Sequence, residues 1–504
     1  MDSSDFSTLI GRLEREAQEL PRLHAAKVAA VAALGYAPPA ALASLGVICG
    51  FSFLHSLFFA EDASPLALFG LLTAVGALAA MIRALWIPGE APDGVQIDAE
   101  DAPELFALLR AAETLNGVRV DSVRINAEFV VSLRQIPRWS VFGGWRNHLQ
   151  IGLPLLATLS VDEFVALLAH EMGHSRMRDQ QFSAWIYRQR IAWSALHAKF
   201  TRPTGPIERL LARFYGWCIP YFCAYCFALA RAHEYAADHV AAAVTDPQVL
   251  GDALIKAELA GRFLAEVFWP SLYAQVDKTP ETPRRPYKLM QRALQAGHKA
   301  WTRQEWLAQA LNKYANHIDP HPSLAERLAA LEVDAAPPTY DPGNAAFSLL
   351  GPSAETLLSH WDDAWRKQHA AKWRDRHREL QEARWKLAEY ERCDESSLGP
   401  DDLWIKANLL LNVNRNADAI ETLRALAMRQ GSHGKAHMLL GELLLARGDE
   451  RGLQHLIAAA GQDAALIPSA GELGYSYLVK RGRKQEALRF WRQVSPAAAV
   501  GGSR

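Results

Sequence analysis

The chain has 504 residues, of which 50% are apolar and 22% charged, a composition that excludes a disordered chain and a small disulfide scaffold. Its length suffices for two or three domains. The net charge of −1 creates no overall field toward nucleic acid, so no nucleic-acid partner is expected. The five cysteines are not spaced as a disulfide framework, which indicates a reducing compartment.

Two runs near the start of the chain, 28–60 and 63–82, contain no Asp, Glu, Lys or Arg. Each is long enough to cross a bilayer as a helix. The N-terminal segment 1–90 is therefore predicted to hold two transmembrane helices, at about 38–60 and 63–85. A buried helical hairpin in a soluble protein is the alternative.

Basic residues flank these runs unevenly. Arg12, Arg15, Arg22 and Lys27 precede the first run and Arg83 follows the second, while the connecting loop carries none. Because basic residues remain on the cytoplasmic side, both chain ends are expected to face the cytoplasm. The predicted location is a bacterial inner membrane, with the lipid bilayer as one partner.

A third apolar run, 214–230, has no formal charge and lies between Arg213 and Arg231. Its length is borderline for a span, so a helix buried in the protein or lying in the membrane interface is favoured. The run includes Cys223 and Cys226, whose C-x-x-C spacing has no second pair, and buried apolar cysteines are the favoured interpretation.

The middle of the chain begins with strand patterns. The runs 122–133 and 148–153 alternate as strands on either side of a Gly-Gly turn region at 143–144, which predicts a small antiparallel sheet. The next helix has a clear beginning, because Ser160 at the N-cap and Glu163 three residues later form a capping-box pattern.

That helix carries the H-E-x-x-H motif at His170, Glu171 and His174. Positions i and i+4 of a helix face the same way, so both imidazoles can bind one Zn²⁺ ion. Glu171 lies beside them and can act as a general base toward water.

A second polar motif follows at 231–238, with the sequence RAHEYAAD. Glu234 can supply a third metal ligand, and Asp238, one turn later, can accept the other N–H of a ligand histidine. A fourth position left for water is typical of a catalytic zinc. His233 and His239 are competing candidates for the third ligand.

These motifs resemble the HtpX and CAAX prenyl protease (Ste-type) family of integral-membrane zinc metallopeptidases, which are gluzincins. The resemblance covers roughly residues 30–335. It rests on LLAHEMGHSR at 167–176, RAHEYAAD at 231–238, INA at 125–127 and HPSLAERLAAL at 321–331.

The resemblance implies one zinc ion per chain, with ligands His170, His174 and Glu234, with Glu171 as general base and with Asp238 as support for a ligand. It further implies roles for three residues that, taken alone, favour structural interpretations. His321 would approach the substrate oxyanion, Arg327 would brace the acids of the metal site, and Asn126 would lie at the strand that holds an extended substrate. Without the resemblance, His321 would be a cap for the helix from about Ser323, Arg327 a packing residue and Asn126 a turn residue.

The C-terminal third is predicted to be an interaction module. Residues 336–397 comprise a linker followed by charged, Trp-rich helices with an inward aromatic face. Residues 398–504 repeat at about 34 residues, with Ala407, Gly441 and Gly474 at one small-residue position. This spacing matches three tetratricopeptide-like repeats; an ordinary helical bundle is the alternative.

The expected fold is mainly α with a small antiparallel sheet, as an α+β zincin-like metallopeptidase domain at 91–335, after a transmembrane hairpin and before a C-terminal α-solenoid. The expected function is membrane-anchored, zinc-dependent hydrolysis of peptide bonds in protein or peptide substrates, in membrane-protein quality control as the resemblance implies. The alternative is a membrane-tethered repeat scaffold with an inactive or secondary peptidase domain. A protein partner is expected for the repeats.

Overall fold

A computed structural model describes residues 3–59, 65–86, 92–137, 145–176, 185–186, 189–190, 193, 198, 206–312, 321–429 and 433–495. The predicted turn at 143–144 lies outside these residues. The chain divides into two compact units. The first comprises Met1–Leu272 and Pro283–Arg366, and the second comprises Tyr273–Thr282 and Lys367–Arg504.

Four helices open the first unit: α1 (Ser3–Glu19), α2 (Pro21–Leu34), α3 (Ala37–Phe59) and α4 (Pro65–Leu85). The helices α3 and α4 pack against each other. Part of α2 belongs to the protein core, where Val28 and Ala32 are fully buried in a cluster with Tyr215 and Phe222.

The predicted transmembrane hairpin is wrong. Within the described residues, no helix is both long enough and apolar enough to cross a membrane. The prediction counted residues without charge, and the uncharged run 28–60 is divided between α2 and α3, with its first part buried in the protein. Absence of charge is thus a weaker criterion than hydropathy sustained along one helix. The predicted cellular location is not tested by this finding and stays a prediction.

One four-stranded sheet follows, built from β1 (Val95–Ile97), β2 (Ser122–Asn126), β3 (Val131–Pro137) and β4 (Trp145–Gly152), in the order β1-β2-β4-β3. Strand β2 pairs with β1 in the antiparallel sense and with β4 in the parallel sense, and β3 pairs with β4 antiparallel. The sheet is therefore mixed, and the prediction of an antiparallel sheet is wrong. The reason is that the run 122–133 is two strands, and β4 inserts between them instead of pairing only with its neighbour in sequence.

Helix α5 (Pro103–Asn116) lies between β1 and β2 in the chain. The sheet is followed by the short α6 (Leu153–Leu156) and then by α7 (Val161–Arg176), which carries the H-E-x-x-H motif. The predicted capping box is confirmed, because the Ser160 N–H donates to Glu163 at 2.8 Å and the Glu163 N–H donates to the Ser160 hydroxyl at 3.3 Å. It sets the start of α7.

Helix α8 (Pro206–Val244) contains the third apolar run and packs against α7. Within it, Tyr215, Phe222 and Cys226 are buried in the core, in agreement with a helix buried in the protein. The two helices approach closely at Gly173, where an added Cβ would lie 3.2 Å from Ala237 Cα. The glycine therefore brings the two polar motifs together.

The rest of the first unit is helical. Helix α9 (Pro247–Phe263) continues through a π-helical turn (Leu264–Phe268), and its Lys256 forms a buried ion pair with Glu163 at 2.7 Å. This pair ties α9 to the start of α7. The following helices are α10 (Trp269–Tyr273), α11 (Pro286–Ala296), α12 (His298–Trp301), α13 (Gln304–Leu311) and α14 (Leu324–Ala330).

A single helix, α15 (Ser353–Glu391), occupies most of the predicted Trp-rich segment. Trp365 and Trp373 are buried, but Trp385 is 65% exposed, so the inward aromatic face is incomplete.

Six helices then form three consecutive pairs in the second unit. They are α16 (Pro400–Asn412), α17 (Asn416–Ala427), α18 (Gly434–Ala446), α19 (Arg451–Gln462), α20 (Ile467–Lys480) and α21 (Lys484–Val494). The small residues lie where the paired helices meet. A Cβ on Gly441 would lie 2.9 Å from the Gly452 carbonyl oxygen, and a Cβ on Gly474 would lie 2.1 Å from Phe490. The tetratricopeptide assignment itself and the predicted domain bounds stay predictions.

Candidate metal centre

Helices α7 and α8 bring three possible metal ligands together. The Nε2 atom of His170 lies 3.6 Å from Glu234 Oε2, and the Nε2 atom of His174 lies 3.5 Å from Glu234 Oε1. One ligand atom from each residue can be chosen so that all lie within 4.8 Å of one another. The two imidazoles come from one face of α7, as the i, i+4 spacing predicts.

This donor set fits zinc, which favours imidazole nitrogen and carboxylate oxygen ligands. Among the described residues, His233 and His239 are not part of the cluster. His233 is only half-buried and His239 is exposed, whereas Glu234 is buried between the two ligand histidines. The geometry therefore favours Glu234 over both alternatives.

A buried carboxylate orients His170. Asp238 is 1% exposed, and its Oδ1 atom lies 2.8 Å from His170 Nδ1. Arg327 donates to the same carboxylate from Nε at 2.9 Å and from Nη2 at 2.5 Å. With Nδ1–H donated to Asp238, the Nε2 atom of His170 remains for a metal.

The charges of the cluster shift the pKa values of its members. Burial alone would lower the pKa of His170, but hydrogen bonds to Asp238 and Glu234 outweigh burial and raise it to about 9. Burial, assisted by the charge of His170, lowers the pKa of His174 to about 3. For Glu234, burial would raise the pKa, but the hydrogen bond from His170 and the charge of His174 lower it to about 2. The lowered pKa values of Glu234 and His174 favour an anionic carboxylate and a neutral imidazole, the forms in which these groups bind a metal.

Glu171 lies in the wall of the same cavity. Its Oε2 atom accepts a hydrogen bond from the Leu133 backbone N–H of β3 at 3.0 Å. Burial raises the pKa of Glu171, although the nearby charge of His170 and the Leu133 hydrogen bond act in the opposite direction. A raised carboxyl pKa suits a group that takes up and releases a proton near neutral pH.

The segment before α14 contributes His321 from a third part of the chain. Its Nε2 atom lies 3.6 Å from Glu234 Oε1, and its side chain is 60% exposed. Ser323, not His321, caps α14, in a capping box with Glu326. The structural alternative for His321 as a helix cap is therefore wrong, and Arg327 likewise belongs to the centre through Asp238.

Sequence reasoning missed the contact that ties this segment to α8. Arg231 Nη2 donates to Glu326 Oε1 at 2.6 Å, while Glu326 Oε2 accepts from the Ser323 N–H at 2.7 Å. The S-x-x-E pattern at 323–326 could have revealed the capping box, but no sequence signal pairs Glu326 with Arg231.

A cavity of about 450 Å³, here called the metal-centre cavity, opens onto these side chains. Its lining comprises Phe129, Val130, Val131, Leu155, Leu167, His170, Glu171, His174, Glu234, Leu254, Ala257, Glu258, His321, Pro322, Leu324 and Arg327. Asn126 is not among these described lining residues. It lies 2% exposed at the end of the interior strand β2, where its Oδ1 atom accepts from the Glu128 N–H at 3.2 Å.

Comparison with known proteins gives an independent result. None of the curated proteins compared matches the chain. Residues 140–335 match the family model described as Peptidase family M48. This range contains all three clustered ligands together with Glu171, Asp238, His321 and Arg327. The part of the chain from 140 to 335 is therefore similar to the zinc-dependent metallopeptidases of family M48, which supports a metallopeptidase domain there.

Proposed function

We propose that the chain is a zinc-dependent endopeptidase that hydrolyses peptide bonds of extended protein or peptide segments. The observation that carries this proposal is the convergence of His170, His174 and Glu234, with all ligand atoms within 4.8 Å, on the cavity that Glu171 also lines. These three residues would hold one zinc ion. When bound, zinc supplies Lewis acidity toward the scissile carbonyl and toward the attacking water.

Glu171 acts as the general base. It takes a proton from the attacking water and returns a proton to the leaving amine, a role that its raised pKa suits. The Leu133 N–H that donates to Oε2 orients the carboxylate, so that the other oxygen, Oε1, can face the substrate.

His321 lies near Glu234 and Arg327 donates to Asp238, and the two residues have different tasks. The exposed imidazole of His321 at the cavity rim donates a hydrogen bond to the oxyanion that develops on the scissile carbonyl. Arg327 does not touch the substrate in this proposal; it positions His170 through Asp238.

An extended substrate segment lies along the open edge of β3. The Val130 carbonyl accepts from the Gly152 N–H toward β4, whereas the Leu133 N–H points to Glu171. Because backbone groups alternate along a strand, the N–H and C=O groups of Val131 and the C=O group of Leu133 face away from β4. This edge can therefore pair with a substrate strand, and we assign to β3 the role first predicted for Asn126.

Quality control of membrane proteins is the biological setting that the family resemblance implies, and it stays a prediction. The alternative function, a repeat scaffold with an inactive peptidase domain, is less well supported, because each ligand and base position of the cluster is filled. A partner protein for the C-terminal helix pairs also stays a prediction.

Two glutamine variants test the proposal, because the two glutamates have different tasks. Glu171→Gln removes a base but no ligand, so bound zinc should stay near one per chain while peptide hydrolysis falls about 10²- to 10⁴-fold. Glu234→Gln replaces an anionic ligand with a neutral amide, so zinc content and hydrolysis should fall together.

The measurements are zinc by elemental analysis and hydrolysis of a short unstructured peptide, on both purified variants and the unchanged protein. Excess zinc should restore part of the Glu234→Gln activity and none of the Glu171→Gln activity. Loss of zinc from Glu171→Gln with retention of zinc and activity in Glu234→Gln would refute the assigned roles.

A further inference from the structure

A second cavity, here called the distal cavity, adjoins the metal-centre cavity within the first unit. It has a volume of about 600 Å³. Ala257 and Glu258 of α9 line both cavities. The two cavities therefore share one turn of α9 as part of their walls.

The ring of Phe129 lies at the boundary between the two cavities. Phe129 lines the metal-centre cavity, whereas Gly261, one turn after Ala257 on α9, lines the distal cavity. An added Cβ on Gly261 would lie 3.5 Å from Cδ1 and 3.6 Å from Cε1 of this ring, which is an ordinary van der Waals contact. The ring thus faces one cavity and packs over a wall residue of the other, so that it separates them.

The metal-centre cavity is largely apolar up to this ring. Outside the metal centre, most of its lining residues have hydrocarbon side chains, including Leu155, Leu167 and Leu254. Such side chains give a polar substrate group no hydrogen bond, whereas the burial of methylene groups against them is favourable. The cavity is therefore suited to an apolar substrate side chain, and the space for that side chain ends at Phe129.

We propose that Phe129 is a specificity-determining residue, whose ring limits the length of the apolar substrate side chain that binds beside the scissile bond. A side chain that fits in front of the ring buries its methylene groups in the metal-centre cavity. A longer side chain meets the ring, which closes the distal cavity to it. The inference rests on the proposed function, because the metal centre identifies the occupant of the cavity as a peptide.

Peptides that differ only in the length of one straight alkyl side chain test this inference. Norvaline, norleucine, 2-aminoheptanoic acid and 2-aminooctanoic acid are placed in turn on each side of the scissile bond. In the unchanged protein, kcat/KM at one of these positions should rise about fourfold for each added methylene and should fall once the side chain reaches the ring. In Phe129→Ala, the ratio of kcat/KM for the longest side chain to that for norvaline should increase about tenfold or more.

Phe129→Leu provides a second, smaller change of the same ring. It should shift the preference toward longer side chains by less than Phe129→Ala, and it tests the inference if the alanine variant does not fold. Zinc content and circular dichroism identify the folded variants. A length preference that is identical in the unchanged protein and in a folded Phe129 variant would overturn the inference.

Ala265→Leu is the matched control, because Ala265 is exposed in the π-helical turn and lines the distal cavity but not the metal-centre cavity. With Phe129 present, it should leave the length preference unchanged, since the ring keeps the substrate out of the distal cavity. In Phe129→Ala/Ala265→Leu, the added side chain should reverse part of the gain for the longest peptide. Equal effects of Ala265→Leu with and without the ring would show that the ring does not separate the cavities.

Binding separates this inference from the proposed function. Fluorescence anisotropy of the same peptides on zinc-loaded Glu171→Gln measures recognition without turnover. A length limit in binding that is lifted in Glu171→Gln/Phe129→Ala supports the role of the ring, even if the unchanged protein cleaves no peptide and the proposed function fails. Cleavage with a length preference that Phe129→Ala changes in neither assay would refute this role and leave the proposed function standing.

Discussion

The metal centre and the C-terminal helix pairs are held together in opposite ways. The centre joins side chains from α7, α8 and α14, and a backbone N–H of β3, through charged hydrogen bonds in a poorly solvated site around Asp238 and Arg327. The helix pairs join consecutive helices through apolar contacts, with Gly441 and Gly474 at the closest approaches. We therefore expect the centre to be most sensitive to a lost charge and the helix pairs to an added methyl group.

The largest expected effect in this comparison comes from Asp238→Asn. The substitution removes the anionic acceptor of His170 and leaves the buried guanidinium of Arg327 without its carboxylate. Zinc affinity should fall about 10- to 100-fold, and the free energy of unfolding should fall by about 3–5 kcal/mol. Zinc competition with a chromophoric chelator and chemical denaturation measure the two effects.

Asp418→Asn provides the control in the helix pairs. Asp418 and Arg415 form an ion pair at 2.6 Å, but their side chains are 50% and 46% exposed. Its removal should change the free energy of unfolding by less than about 0.5 kcal/mol. The proposed contrast fails if the two Asp→Asn variants lose similar stability.

The second prediction concerns a methyl group added where α20 meets α21. In Gly474→Ala the new Cβ would lie 2.1 Å from the ring of Phe490, so α20 and α21 must separate, at a cost of about 1–3 kcal/mol. Hydrogen exchange followed by mass spectrometry should show faster exchange in residues 467–494 and unchanged exchange in residues 161–176. Zinc content should not change.

Gly461→Ala is the matched control for this prediction. An added Cβ on Gly461 meets no atom within 4 Å, and alanine is the better helix former, so stability should rise by about 0.5–1 kcal/mol. Destabilisation by both alanines would show that helix separation is not the cause.

The third prediction concerns pH and the helix pairs. His437 Nδ1 and His455 Nδ1 lie 3.0 Å apart, so in the neutral pair one ring donates and the other accepts. Burial lowers the pKa of both residues below the usual 6.5. Between these lowered pKa values and pH 6.5, the unfolded chain therefore binds more protons than the folded chain. The contribution of the pair to the free energy of unfolding is full above about pH 6.5 and is lost as the pH falls toward the lowered pKa values. The loss is up to about 1.4 kcal/mol per pH unit for each proton.

Chemical denaturation between pH 7.5 and pH 5.5 measures this loss, with hydrogen exchange of residues 434–462 as the local readout. In His455→Gln the amide can still pair with His437, but only one histidine remains, so the loss over this range should shrink. An unchanged pH dependence in that variant would contradict the prediction.

The smallest expected effect concerns the contact between α8 and the segment before α14. In Arg231→Met the hydrogen bond to Glu326 is lost, while the capping box of Ser323 and Glu326 remains. His321 and Arg327 should then be held less firmly, and kcat/KM for peptide hydrolysis should fall about two- to fivefold with zinc retained. Arg231→Lys keeps the charge and should recover part of the loss; a Lys variant as impaired as the Met variant would argue against the ion pair.

The local features of this chain were determined by the sequence alone. The H-E-x-x-H spacing places His170 and His174 on one helix face whatever surrounds the helix, and the capping box of Ser160 and Glu163 depends on residues three apart. The helix pairs of the second unit likewise follow from a short repeat period and small residues such as Gly474. Such patterns can be recognised in the sequence because the interacting groups lie close to one another along the chain.

Only the tertiary structure decided which distant segments meet. Three features depend on partners far apart in the chain: the parallel pairing of β2 with β4, the ion pair Lys256–Glu163 and the ion pair Arg231–Glu326. The wrong transmembrane prediction has a different cause, since it counted the absence of charge in a run instead of the hydropathy of one helix. A sequence motif contains the spacing of its own residues. The free energy of packing also depends on the surface of the segment that packs against the motif, and the motif does not specify that segment.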